Sequence, residues 1–414
     1  MPQLQSVLGL LALVLTAWLF SANRRRFPWR IAAAGLVLQA AVATLMFRLP
    51  GVRAFFLALE RAVLALEEAT AAGTSFVFGY LGGAPLPFQE LAPGGSYVFA
   101  ARALPMVILI AALTSLLYYW RILPRVVRGF SFVLRTSMGI GGALGVGASA
   151  TIFLGMVEGP LLIRPYLARM TRSELFSLMA CGMACIAGTM LVLYADLLLH
   201  VIPDSIGHVL TASIIHAPAA LVIAAVMVPE EGERTLGDEL PESPASGAMD
   251  AVTRGTVDGL HLLLNIVAML IALIALVKLA NLGLGALPDV GGAPLSLERI
   301  MGLVMAPLVW LMGVPWAEAR TAGMLMGTKT MLNEFLAYIQ MSKLPAGSLS
   351  PRSALIMTYA MCGFANFGSL GILIGGLGGM CPERRSEVVG LGLRAILAGT
   401  LASSMTGALV GALY

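Results

Sequence analysis

Runs of about 20 apolar residues recur along this 414-residue chain, and that pattern rules out most folds. In lipid every backbone polar group must be satisfied internally, so such runs predict an all-α polytopic membrane protein. Composition agrees. Hydrophobic residues make up 58% of the chain and charged ones 12%, with a mean hydropathy of +0.89, where soluble domains carry about 25% charge. The net charge of +4 comes largely from arginines in short loops, which report orientation, so nucleic acid is not an expected partner. Cys181, Cys185, Cys362 and Cys381 lie mostly inside apolar segments without metal-ligand spacing and read as free buried thiols.

The arginines fix a topology. Arg24, Arg25, Arg26 and Arg30 hold the first loop in the cytoplasm and put the N-terminus outside. The run Leu4–Phe20 lacks a basic leading region and a small-residue cleavage site, so it is expected to be a retained helix. Spans are expected at 4–20, 31–47, 98–119, 175–201, 206–228, 260–282, 355–380 and 388–413. Segments 125–135 and 295–314 read as helices lying in the interface. Residues 53–71 read as a further helix, followed by a Gly/Pro-rich loop. The acidic stretch 229–250 reads as a solvated cytoplasmic loop. The expected organisation is 1–98, the first two spans and an outer loop; 99–228, a first repeat; 229–255, the acidic loop; and 256–414, a second repeat.

Two stretches do not fit a simple span. Residues 141–166, GGALGVGASATIFLGMVEGPLLIRPY, have arginines at both ends, so both ends face inside. Each apolar half is too short to cross, and Glu158 sits between them. Residues 315–341 repeat the plan from outside around Lys329, Asn333 and Glu334. Each is expected to be a re-entrant hairpin, a geometry tolerated where it is buried in protein or lines a wet cavity. After each hairpin comes a span interrupted by small and polar residues. Glu158 precedes Met183 by 25 positions and Glu334 precedes Met361 by 27, and MACIAG aligns with MCGFAN. Two units entering from opposite faces form an inverted repeat, the architecture of secondary transporters, whose site lies at the midplane.

An ionisable residue at membrane depth points to function. Glu158 and Glu334 are expected to converge at the hairpin tips, where they hydrogen-bond a hydroxyl-rich solute, bind a cation, or are neutralised by a structural partner. Asn366 and Ser369 offer groups suited to a sugar, or to interhelical bonding. Phe364 suits ring stacking or plain packing. Lys329 is open to two roles, pairing with Glu334 or meeting an anion.

The segments GMVEGPLLIRPYLARMTRSEL, GMACIAGT, GTKTMLNEFLAY and CGFANFGSLGILIGGLGGMCPERR resemble the concentrative nucleoside transporter family from about Ala71 to the C-terminus. The resemblance implies eight spans, two hairpins, a homotrimer, and elevator-type transport driven by sodium or protons. It implies ribose contacts at Glu334, Asn366, Ser369 and Phe364. At the first hairpin the family's G-Q-T-E reads Gly155-Met156-Val157-Glu158. The carboxylate is kept, but both polar readers of the nucleobase are apolar, and an apolar pocket discriminates weakly. Met190 joins Met156 and Val157 among the expected substrate-facing residues. The implied sodium positions are Thr151, Leu154, Cys185 and Ile186. Sulfur at Cys185 is a poor partner for a hard cation, so a proton carried by Glu158 or Glu334 stands as the alternative.

The expectation is therefore a nucleoside carrier without a bound cofactor, coupled to sodium or protons. It would lie in the lipid bilayer of a bacterial inner membrane with both termini in the periplasm. A membrane-embedded enzyme would need paired Asp motifs, a His cluster or a nucleophile with a base near the interface, and the sequence offers none of these, so an enzyme is not expected. Two rivals remain: a re-entrant-loop channel, and a relative moving another polar or nucleoside-like solute.

Overall fold

The computed structural model describes residues 2–48, 50–89, 96–198, 201–237, 243–290, 292 and 294–414, and these are helical almost throughout. Six helices among them are long and apolar enough to cross a membrane, or up to seven if the bent pair described below counts as one span. The remaining apolar runs form shorter pieces, and the reason lies in their sequences.

The chain opens with α1 (Pro2–Leu19) and α2 (Trp29–Arg48), joined by the arginine loop, and α3 (Pro50–Phe78). Residues 90–95 of the outer loop lie outside the described residues. The single turn α4 (Phe99–Arg102) leads into α5 (Met106–Tyr119). Next is α6 (Ile122–Met138), which buries Leu123, Val127, Ser131, Leu134 and Met138, a helical period of three to four, while Arg125 and Arg128 face out.

The first hairpin rises as α7 (Gly142–Leu154), of 13 residues. Its descending limb is two single turns, α8 (Glu158–Leu161) and α9 (Arg164–Leu167). Pro165, at the start of α9, has no N–H with which to continue α8. The next span is broken into α10 (Arg172–Ala184) and α11 (Gly188–Leu198). A capping box starts α10: the Thr171 hydroxyl accepts from the Glu174 N–H, and the Glu174 carboxylate accepts from the Thr171 N–H, both at 3.1 Å. Then α12 (Ser205–Met227) crosses the centre of the molecule, buried along most of its length.

The beginning of the acidic segment is not a free solvated loop. Thr171 donates to Glu230 (2.7 Å) and Asn23 to Glu231 (3.0 Å), and Arg234 donates to the Gly139 carbonyl. Thr235 is buried and gives both its N–H (2.9 Å) and hydroxyl (2.7 Å) to Glu174. Side chains that satisfy helix ends turn this stretch into a strap over α6, α7 and α10. Residues 238–242 lie outside the described residues.

The second half opens with α13 (Ala248–Leu284), of 37 residues and about 55 Å long at 1.5 Å per residue. It packs along α5, with Gly255 and Gly259 against the backbone of Ala111, Ala112 and Ile108. Leu264, Ile271, Leu276 and Leu279 stay exposed. Then α14 (Leu297–Leu311) bends by 119° into α15 (Trp316–Met331). With α16 (Glu334–Ser342), α15 forms the second hairpin. The following span is again broken, into α17 (Pro351–Met361) and α18 (Phe367–Met380), and α19 (Arg385–Leu413) closes the chain with most of its length buried. The plan of hairpin, broken span and buried helix thus occurs twice.

Candidate functional site

The two breaks meet. Residues 185–187 and 362–366 cross with the Phe364 N–H donating to the Cys185 carbonyl at 3.4 Å. A Cβ on Gly363 would stand 2.3 Å from the Ala184 carbonyl oxygen, so only glycine allows this approach. Two half-helices therefore end, and two begin, at one point in the core, leaving backbone groups that irregular chain must satisfy.

Around this crossing the second hairpin and the second break build one hydrogen-bonded cluster. Asn333 caps α16, its side chain accepting from the Leu336 N–H at 2.9 Å, which places Glu334 in the first helical turn. The Glu334 carboxylate is 4% exposed. It accepts from the Tyr194 hydroxyl at 2.5 Å and from the Asn366 amide at 3.0 Å. Asn366 caps α18, accepting from the Ser369 N–H at 2.7 Å. Phe364 and Ser369 are each buried beside it at 8% exposure. A carboxylate offers about four lone-pair positions, and two are taken here, so Glu334 retains capacity for hydroxyl donors. Asn366 keeps one N–H, and Ser369 keeps a hydroxyl. The set suits a small molecule with adjacent hydroxyl groups.

Tyr194 is not among the residues the sequence singles out. It is fully buried on α11, with Tyr338 and Phe335 5.2 and 6.4 Å away between ring centroids. The available signal is a phenol inside an apolar helix, because a buried Tyr hydroxyl needs a partner.

The first hairpin contributes differently. Glu158 is exposed, and no hydrogen bond or ion pair joins it to Glu334 among the described residues. Gly155, with φ +106°, turns the tip so that its own Cβ position lies 3.0 Å from Ala187 Cβ and 3.2 Å from a Glu158 carboxylate oxygen. Met156 is buried, with its Cβ facing Gly182 on α10, and half-buried Val157 lies against Gly376 on α18. The tip is thus seated on one broken span from each half, through the apolar side chains of Met156 and Val157, with the Glu158 carboxylate beside them. Met190, on α11, is buried at 6% exposure.

The four positions expected for sodium lie together at the junction of α7 and the first break. Thr151 is buried, with its hydroxyl given to Gly147 in its own helix at 2.8 Å. Leu154 is the last residue of α7, and Ile186 is fully buried. The Cys185 thiol donates to the Ser213 carbonyl at 3.7 Å and packs with Ile152 and Ala217. Ser213 in turn donates to the Ile152 carbonyl at 3.2 Å. With Cys185 engaged in this way and supplying sulfur, the donor set is a weak one for a hard cation. Lys329 is fully buried and donates to Ser403 (3.1 Å) and the Ala360 carbonyl (3.4 Å); among the described residues it forms no ion pair within 4.0 Å with Glu334, whose charge acts on it from farther off.

Comparison with known proteins bears on what such a site handles. Residues 8–81 and 208–411 match the family descriptions "Na+ dependent nucleoside transporter" N-terminus and C-terminus, and residues 100–199 match "Nucleoside recognition". An uncharacterised transporter of Bacillus subtilis is 38% identical over 99% of both chains. The nucleoside permease NupC of Helicobacter pylori is 35% identical over 98% of this chain and 96% of its own. Human solute carrier family 28 member 3 is 36% identical over 99% of this chain, which spans 60% of that longer protein. Among solved structures, CNTnw in an inward-facing substrate-bound state superposes with a TM-score of 0.90 at 33% identity, covering 100% of this chain and 98% of that one.

Proposed function

Because the chain belongs to the concentrative nucleoside transporter family, whose members are membrane carriers and not enzymes, we propose that it takes up nucleosides by ion-coupled secondary transport, gripping the ribose and reading the base loosely. The observation that carries this reading is the Glu334 cluster. A buried carboxylate with spare acceptor capacity, flanked by Asn366 and Ser369, matches the vicinal hydroxyls of ribose. Phe364 supplies an apolar wall. Met156, Val157 and Met190 surround the base end with apolar atoms and no hydrogen-bond donor, so the base is held by contact area. A pocket of that kind separates ligands weakly, and purine and pyrimidine nucleosides are both expected to be accepted.

Movement is proposed to be of the elevator type, in which the two hairpins and two broken spans travel as one body against α5 and α13. The tight crossing at Gly363 and the seating of Met156 and Val157 on α10 and α18 support a single body. The exposed apolar side of α13 suits contact between copies of the chain, in keeping with a homotrimer in a bacterial inner membrane. For coupling, the sulfur at Cys185 favours a proton over sodium. The experiment is uptake of labelled uridine and adenosine into proteoliposomes, with an imposed sodium gradient or an imposed pH gradient. Saturable uptake of both, driven more strongly by the pH gradient, is expected. Uptake of neither nucleoside in either gradient contradicts the reading.

A further inference from the structure

Lys329 is a fully buried lysine with no carboxylate within ion-pair distance among the described residues, and the uptake reading leaves it without a task. Its place in the twofold plan explains it. Lys329 stands five residues before Glu334 on the second hairpin; five residues before Glu158 on the first stands Phe153, flanked by Ile152 and Leu154. In the first copy, α7, the end of α10 and α12 meet at Ile152, Cys185 and Ser213. In the second copy, α15, the end of α17 and α19 meet at Lys329, Ala360 and Ser403. The two junctions correspond helix for helix, and the first is where Thr151, Leu154, Cys185 and Ile186 gather.

The second junction offers the ammonium two oxygen acceptors. Its acceptors are the Ala360 carbonyl, in the last turn of α17, and the Ser403 hydroxyl. The C-terminal end of a half-helix carries partial negative charge and unpaired carbonyls, which is where transporters of this general build hold coupling cations. The nearest acid along the hairpin, Glu334, has its two oxygens on Tyr194 and Asn366. The ammonium therefore rests on two oxygen acceptors from two helices, with the Glu334 carboxylate and the Cys362 thiol near enough to act on it electrostatically.

We propose that the Lys329 ammonium is a tethered cation filling the second copy of the ion position, so that only the first copy, around Thr151 and Cys185, is left to take a coupling ion. The protein then carries no more than one coupling ion for each substrate. Truncating the lysine turns the second junction into an open cation site.

The test uses the purified full-length protein and thermal melting in choline, sodium or ethylammonium chloride at constant ionic strength. Lys329→Ala is expected to melt lower than the parent in choline, and to gain several degrees in ethylammonium or sodium in a saturable way. The parent and Lys329→Met, whose apolar chain fills the space, are expected to lack that gain. Lys329→Gln, which keeps a donor but no charge, is expected to lose about tenfold or more of its uptake. An alanine variant that no small cation stabilises beyond the parent overturns the proposal. So does a glutamine or methionine variant that transports like the parent, and the glutamine variant is the arbiter should the alanine variant not fold. The inference rests on the ion-coupled reading for its transport consequence alone. Melting needs neither nucleoside nor gradient, so a failure there leaves the uptake reading standing.

Discussion

At the scale of single residues, the cluster at Glu334 makes separable demands on its members. Glu334→Gln keeps the shape but removes the charge that two donors share and that the proposed ribose contact uses. A hydrogen bond to a charged group contributes about 1.5–3 kcal/mol, so uptake is expected to fall by about 10- to 100-fold or more, while gel filtration shows folded protein. Tyr194→Phe removes one donor and leaves the ring packing intact. Its expected signature is a rise in KM of about tenfold with a smaller change in maximal rate. Asn366→Ala does two things at once, because Asn366 also caps α18. It is expected to lower the melting point, through a cap loss of about 1 kcal/mol, in addition to losing uptake. Cys185→Ser puts an oxygen where sulfur stands, and sodium stimulation of uptake is expected to increase relative to the parent. Unchanged ion dependence in that variant would place the coupling site elsewhere. Several of these residues are legible in the amino-acid sequence, because a carboxylate, an amide and a lysine inside apolar stretches are costly and few. Tyr194 is not: its identity is ordinary for a membrane helix, and only its proximity to Glu334, 140 positions away, gives it a task.

At the scale of elements, the breaks matter more than the helices. The site exists because α10 and α17 stop in the core and cross with no room for a side chain at Gly363. Gly363→Val is expected to cost more than a typical overpacking change of about 1–3 kcal/mol, because the clash is with backbone carbonyls and not a movable side chain. Yield of folded protein and melting temperature report it. Hydrophobic runs locate the long helices. They do not show how the acidic segment is held, whose start is fixed by long-range bonds to Glu174, Thr171 and Gly139. Local composition reports solvation, and it carries no trace of a partner about 60 positions away or more. The two acidic hairpin residues illustrate the same limit. Sequence symmetry pairs Glu158 with Glu334, yet one is exposed and the other is buried in a network.

At the scale of the whole molecule, a duplicated unit sets two junctions and two broken spans around one cluster. Duplication does not require that both copies keep the same role. Both tips keep a carboxylate, but in the first Met156 and Val157 precede an exposed Glu158, while in the second Glu334 is buried in the network on which the ribose reading turns. The proposed base preference rests on that asymmetry and not on the fold, which a solved structure at 33% identity shares. The most direct test is competition in proteoliposomes: labelled uridine uptake measured against unlabelled nucleosides and free nucleobases, for the parent and for Glu334→Gln. The prediction is that purine and pyrimidine nucleosides compete within about tenfold of one another, that free bases do not compete, and that the variant's uptake is lower than the parent's by about tenfold or more. Free bases competing as well as their nucleosides, or a variant that transports like the parent, would contradict it.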